Sequence, residues 1–110
     1  MSITIETFKK PSVCQRAQLL DDVESTSNGE WVNIQGYPRT SIHVVIATTA
    51  TVQVRASNEA APANSDDGGL VEQVTASGFV QLPTPARWIK AKISAHTSGT
   101  VNAYAESVPE

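Results

Sequence analysis

The chain has 110 residues, enough for one domain with one core. Hydrophobic residues make up 40% of it but aromatic ones only 5%, so the core must come mainly from Val, Ile, Leu and Ala, which suits a thin sandwich better than a deep cavity. A net charge of -3 provides no basic field, and neither duplex DNA nor RNA is expected as a direct partner.

The lone cysteine, Cys14, cannot close an intrachain disulfide and has no Cys or His nearby for a metal clip. It is expected to be a small, half-buried thiol. The first residues contain no apolar core of a signal peptide, and no apolar run approaches the roughly 18 residues of a membrane span. The expected history is therefore synthesis in a cytoplasm as a soluble product.

Residues 1–12 read as an extended N-terminal arm. Ile3 and Ile5 alternate with Ser2, Thr4 and Glu6, Phe8 follows, and Lys9-Lys10-Pro11 ends regular pairing. Such an arm can pair with the edge of its own sandwich, reach a neighbour, or fray as a terminus. Two isoleucines and a phenylalanine argue against a purely solvated tail. Residues 13–110 read as a single β-sandwich domain.

Within residues 13–24, Val13, Ala17, Leu20 and Val23 fall at roughly helical spacing, but so short a run without good caps is marginal as a helix. The segment is read as extended. Ser25-Thr26-Ser27-Asn28-Gly29 carries the composition of a turn. Glu30–Gln35 then alternates, with Val32 and Ile34 inward and Trp31, Asn33 and Gln35 outward. Gly36-Tyr37-Pro38-Arg39 breaks the run. Ile42, Val44 and Ile46 form the next apolar face, and His43 and Val45 share the opposite side, so that side is not fully wet. Val52, Val54 and Ala56 repeat the pattern, and Thr40–Ala56 is expected to be a hairpin.

Ser57–Gly69 is a long loop without periodicity, rich in Ala, Asn, Ser, Asp and Gly. Loops of this length in small domains are usually functional or mobile. Leu70–Thr75 and Gly78–Leu82 are expected to pair around Ala76-Ser77. The best-specified alternation is Ala86–Ser107. Ile89, Ala91, Ile93 and Ala95 share one side, and Lys90, Lys92, Ser94 and His96 the other. After Ser98-Gly99, Val101, Ala103 and Ala105 continue the apolar face. This stretch is also expected to be a hairpin. Seven or eight short strands at this spacing make an all-β, antiparallel sandwich, either jelly-roll or Ig-like.

Catalytic chemistry finds no support in these residues. His43 and His96 lie opposite the expected core, and no serine sits in a Gly-x-Ser-x-Gly elbow. Asp66-Asp67-Gly68, even with Asn64 and Glu59, offers too few oxygens at the wrong spacing for a calcium loop. Glu30, Glu72 and Glu106 lie on or beside outer strand faces with nothing to pair them across a cleft. There is no phosphate cradle and no zinc spacing. The chain is expected not to be an enzyme, to hold no cofactor and no metal, and to take no small-molecule ligand. The most informative side chains are the outward aromatics Trp31, Tyr37, Trp88 and Tyr104, which can anchor a protein interface or stack on sugar rings. The stems of Lys90 and Lys92 run along the side of Trp88.

Three motifs carry a resemblance. They are Gly-x-Trp-Val-x-Ile-x-Gly at 29–36, Thr-Val-x-Val-x-x-Ser at 51–57 followed by an Asp-Gly loop, and Ala-Arg-Trp-Ile-Lys-Ala-x-Ile-Ser at 86–94 ahead of Ser-Gly-Thr-Val. Together they resemble small β-sandwich virion structural proteins of tailed bacteriophages, found as capsid decoration (cement) proteins or in neck and tail parts. A similar aromatic-Ile-basic strand occurs in discoidin-like carbohydrate-binding sandwiches. The resemblance implies a decoration protein on the outer capsid surface, bound to the major capsid protein and to itself as a homotrimer, with no membrane partner. Its interface would draw on Ile3, Ile5, Phe8, Trp31, Tyr37, Trp88, Lys90 and Lys92. The alternatives are a neck or tail-fibre module, or a carbohydrate-binding sandwich using Trp31 and Trp88.

Overall fold

Residues of alternating character place one side of each strand in the core, and the backbone follows that pattern except at register shifts in the first and seventh strands. The computed structural model describes residues 14–109. Ile3, Ile5, Phe8 and the arm they belong to lie outside the described residues. Eight strands form: β1 (Gln15–Val23), β2 (Val32–Asn33), β3 (Arg39–Ile46), β4 (Thr49–Ser57), β5 (Gly69–Val74), β6 (Gly78–Gln81), β7 (Trp88–Ser98) and β8 (Val101–Val108). They pair antiparallel into two four-stranded sheets, ordered β1-β8-β3-β6 and β2-β7-β4-β5. An eight-stranded double sheet in this order is a jelly roll, which settles the choice between the two expected sandwiches.

Ile42 and Val44 on β3, Val52 and Val54 on β4, Ile89, Ala91 and Ile93 on β7, and Val101, Ala103 and Ala105 on β8 fill the space between the sheets. Each fully buried Val or Ile contributes about 1.5–3 kcal/mol. The small alanines on β7 and β8 let the sheets approach with almost no aromatic filling. Thr40 and Ser107, also buried, satisfy each other through a 2.8 Å hydroxyl hydrogen bond.

The ambiguous segment after Val13 is strand β1. It buries the adjacent Leu19 and Leu20 because register shifts flank Leu20. An extra residue in a strand turns neighbouring side chains to the same side. Asp22 takes a left-handed φ of 49° there. Asn102 braces it: the Asp22 amide donates to Asn102 Oδ1 (2.8 Å), and Asn102 Nδ2 donates to Asp22 Oδ1 (3.0 Å). A comparable shift in β7 ends the inward alternation at Ile93 and leaves Ala95, expected inside, exposed. Ser25–Gly29, expected as a turn, runs beside β7, where Ser27 exchanges backbone hydrogen bonds of 2.9 and 3.2 Å with Ile93. Cys14 is exposed rather than half-buried.

The expected hairpins are arches. β3 and β4, β5 and β6, and β7 and β8 each lie in opposite sheets. Alternation specifies the inward side of a strand, and that side is the same whether the chain returns within a sheet or crosses to the facing one. At the β7–β8 crossing Gly99 adopts φ +85°, and a Cβ there would come 2.5 Å from the Thr48 hydroxyl of the neighbouring β3–β4 arch. The His96 ring nitrogen and the Gly99 carbonyl, 2.7 Å apart, tie the same corner. The consecutive strands that do pair are β4 and β5, joined by the long loop of residues 58–68.

Candidate functional site

The two sheets present two outer faces. Outward positions on the β2-β7-β4-β5 sheet carry Arg55, Trp88, Lys90 and Lys92, with Trp31 just ahead of β2, and the 58–68 loop folds over them. Trp31 Nε1 donates to the Ala63 carbonyl (2.8 Å), and its backbone amide donates to Asn64 Oδ1 (3.1 Å). Trp88 Nε1 donates to the Glu59 carbonyl (3.0 Å). The loop residue Gly68 has φ +60°, and a Cβ there would sit 2.8 Å from the Trp31 ring. A glycine at that point lets the loop seat on the indole.

Lys90 is the centre of this cover. It has 0% exposure. Its Nζ donates to the carbonyls of Asn64 (3.0 Å) and Asp66, and it lies 4.7 Å from the Trp31 ring centroid. A buried ammonium is tolerated when its protons are taken up, and here backbone oxygens and an aromatic face do that without a directly bonded carboxylate. Burial pushes its pKa below the usual lysine range. At the loop's margin Lys92 Nζ meets Asp67 Oδ1 at 2.8 Å, and that hydrogen bond holds the Asp67 carboxyl below its usual value. Arg55 reaches the Asp67 carbonyl at 3.3 Å.

The sequence places Trp31 and Lys90 on the outer side, and the structure keeps them there but covers them. Trp31 retains 9% exposure. Neither is available as a surface anchor, because the loop supplies hydrogen-bond acceptors at the heights of both side chains. Trp88 and Lys92 are half-buried under its margins, and Tyr37 is half-buried in the β2–β3 connection.

The outer face of the β1-β8-β3-β6 sheet has no such cover among the described residues. Register aligns Gln18, Tyr104, His43 and Phe79 in one row across its four strands. Phe79 is 74% exposed and Tyr104 42%. The His43 and Phe79 rings stack at 4.4 Å and 13°, and Tyr104 tilts toward His43 at 6.2 Å and 45°. The next row aligns Arg16, Glu106, Ser41 and Gln81, with Arg16 Nε 3.3 Å from Glu106 Oε1. Between the rows lies an open depression of about 420 Å³ lined by Arg16, Gln18, Ser41, His43, Phe79, Tyr104 and Glu106. Phe79 was legible in principle: it shares parity with Gln81, opposite Val80 and Leu82, and so had to project outward.

Among the described residues no three His, Cys, Asp or Glu side chains gather as a metal site, and no helix is long and apolar enough to cross a membrane. No characterised protein family matches the sequence, and no curated protein does. Among solved structures the chain is similar to the crystal structure of SPBc2 prophage-derived protein YomS. The superposition has a TM-score of 0.65 at 10% sequence identity, and it covers 88% of this chain and 96% of the other. At that identity the likeness is one of fold.

Proposed function

We propose that this chain is a non-enzymatic structural protein of a phage virion and, more specifically, a capsid decoration protein. The observation that carries the reading is the jelly-roll sandwich, shared along nearly its whole length with a prophage-derived protein. A sandwich with one face sealed by its own loop is a rigid body, and a decoration protein needs rigidity and contact surface rather than catalytic groups. The N-terminal residues Ile3, Ile5 and Phe8 lead into β1, which is an edge strand of its sheet. Edge strands and extended arms join neighbouring chains by main-chain hydrogen bonding. The proposed partners are the major capsid protein and further copies of this chain, arranged as a trimer on the outer head surface.

The test is co-sedimentation of the full-length protein with purified expanded heads of the phage whose genome encodes it, alongside light scattering across a dilution series. Saturable binding to heads, lost on Ile3→Asp with Ile5→Asp while the thermal melt stays unchanged, supports the proposal. Binding to purified tails but not to heads reassigns the protein to a neck or tail part. Binding to neither overturns the virion reading.

A further inference from the structure

We infer that the depression between Tyr104 and Phe79 binds a neutral carbohydrate. This is a function beyond virion assembly, and it lies on the sheet opposite the tryptophans that the sequence offers for it. Trp31 is covered by the 58–68 loop and Trp88 is half-buried under its margin, so neither ring stands as open as Phe79.

Three features of the open face select the ligand class. First, its centre is aromatic and its rim polar. The electron-rich face of a ring attracts the C–H side of a pyranose, and hydroxyl, amide and ionic side chains such as Ser41, Gln18, Arg16 and Glu106 bond to equatorial hydroxyls. Phe79 shares one ring face with His43 and is still 74% exposed. Second, the charges in the lining are one cation and one anion, Arg16 and Glu106, and they pair with each other at 3.3 Å. The depression therefore offers no net field to a phosphate, a sulfate or an ammonium group, and an uncharged ligand is its electrostatic complement. Third, Tyr104 and His43, at the centre of the row, sit on the two inner strands of the sheet. β8 lies between β1 and β3, and β3 between β8 and β6, so the backbone under Tyr104 and His43 is already paired on both sides. An extended peptide recognised by strand addition has no edge to join there. A glycan recognised by side chains needs none.

The backbone that carries the central rings is anchored. Tyr104 stands between the buried Ala103 and Ala105, and His43 between the buried Ile42 and Val44. That part of the site needs no backbone ordering when a ligand arrives, which lowers the cost of binding. A volume of about 420 Å³ falls within the ~300–1,000 Å³ range of small-ligand sites.

The experiment applies the full-length protein to an array of neutral oligosaccharides of the gluco-, manno-, galacto- and chito-oligosaccharide series, then titrates the strongest binder by calorimetry. The expected result is binding that Tyr104→Ala and Phe79→Ala each weaken by about fivefold or more. Leu70→Ala, an exposed residue of the other sheet, should leave it unchanged. Affinity should be the same in low and high salt, because no net charge is engaged. Melting curves of the variants separate loss of the site from loss of the fold. No binding anywhere on the array, binding indifferent to both substitutions, or binding confined to charged glycans each overturns the assignment. If Tyr104→Ala instead abolishes head binding and no glycan binds, the row is a protein contact: this inference then falls and the virion reading stands.

Discussion

Both outer faces of the sandwich carry aromatic side chains at outward positions, yet Trp31 is 9% exposed and Phe79 74%. The difference lies in the connections. The β4–β5 loop is long enough to fold back across its own sheet, and its carbonyls end where Trp31, Trp88 and Lys90 can use them. The β5–β6 connection, beside the other face, spans only residues 75–77 and crosses directly to the opposite sheet. Alternation along a strand tells which side chains leave the core, and the nearest connection decides whether they reach water.

Removing the central ring is the strongest way to break the covered face. Trp31→Ala deletes a buried indole and the bond to Ala63, and should cost about 3–5 kcal/mol, read as a lowered denaturation midpoint. Lys90→Ala comes next. It orphans the carbonyls of Asn64 and Asp66 and leaves a gap beside Trp31, for about 2–3 kcal/mol. Lys90→Met should recover part of that loss by restoring the stem's volume without burying a charge. If Lys90→Ala and Lys90→Met melt together with the native protein, the loop does not depend on the lysine.

A smaller effect sharpens the same contrast. Asp67 has its pKa held below the unfolded value by the Lys92 hydrogen bond. Its contribution is therefore present above the unfolded carboxylate pKa and is lost as pH falls through the lowered folded value. Acidification across that window should loosen the loop's margin before the sandwich unfolds. Fluorescence reads this directly, since both tryptophans are bonded to the loop. Asp67→Asn should shift the neutral-pH spectrum toward the acid one and remove the pH step, and an unchanged step in that variant would assign it to another group.

Much of this architecture was legible. Ile42, Val44, Val52, Val54, Ile89, Ala91 and Ile93 are buried where their alternation put them, and the long loop expected at Ser57–Gly69 is there, one residue shorter at each end. Strand partners were not legible, because a hairpin and an arch need the same inward pattern. Ala95 was misplaced by a register shift, which leaves no mark in hydrophobicity alone. Lys90 reads as a solvated charge from its type and parity. What buries it is a pair of backbone carbonyls from the distant loop, and a carbonyl has no residue identity to read. The open site was half visible: Tyr104 was among the outward aromatics, but its stacking partners come from strands paired at long range.

The weakest perturbation tests the other side of the comparison. Phe79→Thr keeps a strand-favouring residue on edge strand β6 and removes one exposed stacked pair, so its cost to the isolated protein should be about 0.5–1 kcal/mol. That is several-fold less than Trp31→Ala, although both remove an outward aromatic ring. The measurement is a pair of melts at two protein concentrations. A small, concentration-independent loss means the ring faces water in the free protein. A loss above about 2 kcal/mol that grows with concentration would mean that association with another copy covers Phe79 in solution, since only a bound partner couples stability to concentration. The two faces would then differ in what covers them rather than in whether they are covered.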